Sequence, residues 1–160
     1  MNLEHHYSVE LEWTGNRGSG TSGYRDYGRD HILSASGKHD IAGSSDRTFH
    51  GDADRWNPEE LLLSALSQCH LLSYLHVAAS SGVVVTAYRD SPVGTMIQTP
   101  DGGGHFTGVV LRPVVTVKSA DMVDAARAAH HEASLKCFIA ASVNFPVLHE
   151  PEIRVESTAA

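Results

Sequence analysis

Between residues 6 and 15 (HYSVELEWTG) apolar and polar positions alternate, so that Tyr7, Val9, Leu11 and Trp13 share one face and polar side chains the other. A period of two predicts a half-buried strand. The stretch from Gly15 to Gly20 reads as a turn within a Gly/Ser-rich loop, residues 15–23. Residues 21–37 (TSGYRDYGRDHILSASG) hold a second extended segment and a third at HILSASG. Residues 38–56 are polar and irregular, longer than most connections, and long loops often carry function.

A strong helix start follows. Asn57 suits the N-cap, Pro58 the first helical position, and Glu59 and Glu60 the positive end of the helix dipole. Glu60 stands where a capping box needs it. The helix is expected to run to about Ser80, with Gly82 as its stop. Leu61, Leu62, Leu63, Ala65, Leu66, Leu71, Leu72, Leu75 and Val77 make it apolar on nearly every side. Such a helix belongs in a core, and a domain of this size has little chain with which to wrap it, so a subunit partner is expected.

Residues 83–98 and 105–118 are β-rich and flank a hairpin-type loop, TPDGGG. Residues 119–137 read as a second helix, with Met122, Ala125, Ala126 and Ala129 at helical spacing; FIAASV continues it or forms a short turn. Residues 151–157 make a final strand. Antiparallel hairpins with helices set apart define an α+β protein.

Composition narrows the class. With 160 residues and 41% apolar side chains, the chain fits one domain over 1–160 with a real core. No unbroken apolar run reaches the ~18 residues of a membrane span. The N-terminus lacks a charged segment followed by an apolar one, so no signal peptide is expected. A formal net charge of −7 argues against nucleic acid or an anionic membrane as partner. Two cysteines are no disulfide framework and point to the reducing cytoplasm. Eleven histidines are many, and four form the adjacent pairs His5–His6 and His130–His131. There is no internal repeat.

The cysteines carry the candidate chemistry. Cys69 stands about twelve residues into the first helix and Cys137 at the end of the second. Each could be a small buried hydrophobe; the two could form a redox pair; or they could bind metal. The metal reading lacks both C-x-x-C and H-E-x-x-H, and His70 and His76, six residues apart, point away from each other. A thioredoxin-type site is excluded because C-x-x-C is absent.

The block NPEELLLSALSQCHLLSYL resembles the OsmC/Ohr family of thiol-dependent organic hydroperoxide reductases. Asn57, Pro58 and Glu59 match its helix start, and Cys69 its first cysteine, ten residues after that glutamate. Cys137, in AHHEASLKCFIAASV, resembles the second cysteine, on a later helix after a β-hairpin. WTGNRGSGT resembles the opening strand and turn of the OsmC branch. Phe138 follows Cys137 where the Ohr branch has proline, and His70 follows Cys69 where that branch has an aromatic residue, so the resemblance is to a divergent OsmC-like member.

The resemblance implies an intertwined homodimer with antiparallel sheets around two central helices. It implies that Cys69 attacks an organic hydroperoxide, that Cys137 resolves the resulting sulfenic acid as a disulfide, and that an external thiol or dithiol reduces it, with no metal or cofactor. It further implies an arginine, held by Glu59, that activates the thiol. Glu59 and Cys69 lie ten residues apart on one helix, about 15 Å. Glu59 must therefore act through a long arginine or serve the Cys69 of a second subunit; its other role is to complement the helix dipole. Arg25, in GYRDYG, matches the Ohr placement of the arginine; Arg47 or Arg55 matches that of OsmC. His70 and His131 could tune the thiols, accept a proton or simply pack. Two other readings stand beside this one: a hot-dog-type thioesterase or acyl-binding protein, which would not need the cysteines, and a non-catalytic OsmC-like binder of small apolar ligands.

Overall fold

The computed structural model describes residues 3–157. The chain forms two compact units, residues 1–61 and 62–160.

The first unit is built on an antiparallel sheet of β1 (Glu10–Trp13), β2 (His31–Ser34) and β3 (Ile41–Gly43). Its opening strand differs from the alternating pattern. β1 is shorter than residues 6–15, and all four of its residues are exposed, as are Tyr7 and Val9. Tyr7, Val9 and Leu11 are exposed, whereas Trp13 packs edge-on against Tyr27. The loop from β1 to β2 is tightly built. Gly28 N donates to Gly15 O at 2.7 Å and Trp13 Nε1 donates to Gly28 O at 2.9 Å. A Cβ on Gly15 would lie 2.0 Å from that carbonyl oxygen, which is why glycine stands there. The stretch 38–56 is less irregular than expected: it contains β3 and a 3-10 turn, Arg47–Phe49, capped by the Asp46 side chain on Thr48 N at 2.7 Å.

Helix α1 spans Pro58–Ser80. Its start is the expected capping box: Glu60 N donates to Asn57 Oδ1 at 2.8 Å, and Asn57 N to Glu60 Oε2 at 3.3 Å. Its end is a Schellman motif. Gly82 adopts φ +73°, Val83 N donates to Ala78 O at 2.9 Å and Gly82 N to Ala79 O at 3.2 Å. By length and composition α1 reaches the level of a membrane-spanning helix. No unbroken apolar run shows this, because Ser64, Ser67, Gln68, His70, Ser73 and His76 interrupt it. Within one chain α1 is buried on one side: Leu66, His70, Tyr74, Val77 and Ala78 are buried, whereas Leu72 and Leu75 are exposed.

In the second unit the two β-rich segments each divide. Residues 83–98 give β4 (Val85–Arg89) and β5 (Val93–Gln98), which lie in different sheets. Residues 105–118 give β6 (Gly104–Leu111) and β7 (Val114–Val117), parted at Arg112–Pro113. β5 and β6 form the expected hairpin, and β4 pairs antiparallel with β7. Two parallel pairings join them: β8 (Val147–His149), absent from the sequence reading, lies beside β6, and β9 (Glu152–Val155) beside β7. The whole is α+β. Helix α2 spans Val123–Leu135, preceded by a 3-10 turn at Ala120–Met122, and FIAASV forms a 3-10 turn at Ala140–Ser142.

The seam between α1 and α2 forms one core. Tyr74, Val77 and Ala78 meet Ala126, Ala129 and Ala133, with Val115 and Val117 of β7 beneath. Ala125, expected on the apolar stripe, is exposed; the stripe is instead Ala126, Ala129, His130, Ala133 and Cys137. A second core gathers Leu66, Val109 and Leu111.

Candidate active site around two cysteines

The second unit brings Cys69 and Cys137 together. Cys69 is half-buried on α1; Cys137 is buried, just past the end of α2. Both are free thiols, and the Cys69 thiol lies close enough to act on Cys137. Burial, first, and the neighbouring Cys69 thiol push the Cys137 thiol up to about 11, against the opposing pull of the Ala140 and Ile139 amides.

Beside Cys69 opens a groove of about 610 Å³ lined by Leu72, Ser73, His76, Leu135, Lys136 and Phe138. Its walls are mainly apolar, and three of them are well exposed: Leu72 at 64%, Leu135 at 75% and Phe138 at 81%. The position after Cys137 thus supplies a phenyl wall to the groove. His76 and Lys136 give it a polar rim, and Lys136 pairs with Glu132 at 2.6 Å. A reactive sulfur at the mouth of an apolar groove, with a second thiol beside it, is suited to two-electron thiol chemistry on an apolar substrate.

The other expected site residues lie in the first unit. Glu60, not Glu59, makes the capping box, and Glu59 Oε2 is buried without a hydrogen-bond partner. Arg55 reaches Asp30 at 3.9 Å and donates to the His31 carbonyl at 3.4 Å. Arg25 is exposed and lines a small cleft with Arg17, Tyr27, Arg29 and His50. Arg47 is exposed beside Asp46. Among the described residues Glu59 is in no ion pair, and no cluster of three or more His, Cys, Asp or Glu side chains is placed to hold a metal.

The sequence reading named His70 and His131 beside the two cysteines. His131 is exposed, whereas His130 is buried against His70. The signal was present: Ala126, Ala129 and Ala133 set the phase of the buried stripe, and that phase includes position 130 and excludes 131.

An α+β fold with paired thiols at an apolar groove defines a class, and comparison with known proteins places the chain within it. The chain belongs to the OsmC-like protein family, whose sequence profile matches residues 51–152. No curated protein matches the sequence. Among solved structures, an OsmC-like protein of unknown function from Vibrio cholerae is 29% identical, with a TM-score of 0.82 over 92% of this chain and 99% of that one. Organic hydroperoxide resistance proteins share the fold. The one from Elizabethkingia anophelis is 15% identical, with a TM-score of 0.67 over 96% of this chain and 100% of its own. The one from Legionella pneumophila is 18% identical, with a TM-score of 0.67 over 95% and 100%.

Proposed function

We propose that this protein is a thiol-dependent peroxidase that reduces organic hydroperoxides to alcohols. The observation that carries this reading is the Cys137 thiol beside Cys69 at the mouth of an apolar groove, in a family whose structural neighbours include organic hydroperoxide resistance proteins. The Cys69 thiolate attacks the distal peroxide oxygen; an S–O bond forms, the O–O bond breaks, and the leaving alkoxide takes a proton to become the alcohol. Cys137 then attacks the Cys69 sulfenic acid, expelling water and closing a disulfide. Two equivalents of an external thiol, or one dithiol, return both cysteines to thiols. The apolar groove accommodates the organic part of the hydroperoxide, and no cofactor takes part.

In this reading Glu59, whose buried oxygen lacks a partner while Glu60 performs the capping, orients the activating arginine. Arg25 is that arginine by the Ohr placement and Arg55 by the OsmC one. The working form is a homodimer. The test is turnover of cumene hydroperoxide with a dithiol reductant, followed by mass spectrometry of the oxidised protein. Cys69→Ser should abolish turnover; Cys137→Ser should allow one turnover and then stall; the wild type should show a 69–137 disulfide. Steady turnover by Cys69→Ser would overturn the assignment.

A further inference from the structure

The seam that carries the two cysteines also carries a buried pair of histidines. His70 follows Cys69 on α1, and His130 precedes Cys137 by seven residues, about two turns of α2. His70 is 0% and His130 3% exposed. Their rings are nearly parallel and meet edge to edge with centroids 5.3 Å apart, and His70 Nε2 lies 3.0 Å from His130 Nδ1. Two further hydrogen bonds cross the same seam: Tyr74 Oη donates to Ala126 O at 3.1 Å, and Ser73 Oγ to Lys136 O at 3.4 Å. The remaining contacts are the Tyr74 ring stacked on His130 and apolar packing against Ala126, Ala129 and Ala133.

We infer that His70 and His130 are positioning residues whose mutual hydrogen bond locks α2 on α1 in the register that sets Cys137 against Cys69. The inference rests on the pairing of the two thiols proposed above.

The bond makes a specific demand. One proton must lie between the two facing nitrogens, so one ring donates and the other, which must be neutral, accepts. A protonated imidazole carries N–H on both nitrogens. With both rings charged, two N–H groups would face each other across 3.0 Å. With one charged, the proton it gains sits on His70 Nδ1 or His130 Nε2, both buried and without a hydrogen-bond partner. The surroundings enforce neutrality. His149 of β8 lies 4.2 Å from His70, and Tyr74 stacks at 4.0 Å on His130. Tyr88 of β4 packs on Tyr74. Arg127 acts on His130 from α2. Asp90 acts on His149 and Tyr88 and is already held by Ser67 Oγ at 2.6 Å and Arg112 N at 2.7 Å. Burial, with the neighbouring histidines, pushes His70 down to about 3; burial, His149 and Arg127 push His130 down to about 4.

The sign follows. Both histidines bind protons more weakly in the folded seam than in an opened one, whose ordinary value is 6.5. Above about pH 6.5 the lock is fully present. As the pH falls from there toward about 4, opening the seam takes up protons and the register is progressively lost.

Ring closure can be measured without any peroxide. Ellman's reagent converts Cys69 to a mixed disulfide and releases one aromatic thiolate; Cys137 then attacks the Cys69 sulfur and releases a second. The rate of the second release reports how well Cys137 is placed, whether or not the protein is a peroxidase. In the full chain, His130→Leu should slow that release about tenfold or more, because small misplacements of reacting groups are costly. His130→Asn should restore it, since the Asn amide places a polar atom where Nδ1 stood and can still pair with His70 Nε2. If His130→Leu fails to fold, the double variant His70→Gln with His130→Asn, which keeps the bond without titratable rings, decides the matter. Its second release should lose the extra slowing that the wild type shows between pH 6.5 and 4.5. The inference is overturned if His130→Leu closes as fast as the wild type, if His130→Asn is as slow as His130→Leu, or if the double variant and the wild type have the same acid profile.

Discussion

Tyr88 and Tyr74 lie side by side in the core of the second unit, with ring centroids 5.8 Å apart, yet their hydroxyls fare differently. Tyr74 Oη donates to the Ala126 carbonyl, whereas Tyr88 Oη is buried without a partner. An unpaired buried hydroxyl costs desolvation and returns nothing. Tyr88→Phe should therefore leave stability unchanged or raise it by about 1 kcal/mol, whereas Tyr74→Phe should cost about 0.5–1.5 kcal/mol because it removes a hydrogen bond that is made. Urea unfolding midpoints of the two variants check this; a loss in Tyr88→Phe as large as that in Tyr74→Phe would refute it. At this scale the chemistry was legible where a residue is rare. Two cysteines at a recognisable spacing stood out, and the structure brings them together. His130 was not picked out, because its neighbour His131 is chemically identical and only the phase of the alanine stripe separates them.

Among the elements, α1 was legible to within a residue at both ends, because its caps are local. Asn57 and Glu60 bond reciprocally across three residues, and Gly82 takes a left-handed φ that closes the helix within two more. Asn57→Ala should cost about 1 kcal/mol, and Gly82→Ala a comparable amount from backbone strain. Thermal melts of the two single variants and the double should show additive losses, since the sites lie at opposite ends of a 23-residue helix. Strong coupling between them would mean that one cap is not formed as described. The strands were less legible, because pairing depends on partners far along the chain. β8 is only three residues long and gains its identity from β6, nearly forty residues earlier. β4 and β5 read as one β-rich run, but Asp90 between them is tied to Ser67 and Arg112 and turns the chain from one sheet to the other.

At the scale of the whole molecule, what is unburied is as informative as the core. Leu72 on α1 and Leu135 and Phe138 at the end of α2 are exposed around the Cys69 groove, and Leu75 lies one turn further along α1. In the first unit Tyr7, Val9 and Leu11 leave a second apolar face uncovered. Scattered exposed apolar side chains need no explanation, but contiguous ones mark a surface that another molecule covers. A second copy of this chain is the occupant proposed above, and it would also enclose the groove in which Cys69 reacts, keeping water from a sulfenic acid that Cys137 must intercept. Each large apolar side chain fully buried contributes roughly 1.5–3 kcal/mol. Replacing Leu72 and Phe138 together by aspartate should therefore raise the dissociation constant by about a hundredfold or more. Light scattering and sedimentation at micromolar concentration should show a wild-type dimer and a variant monomer. A wild type that is monomeric under those conditions would leave the apolar surface without its proposed partner and remove the homodimer from the mechanism.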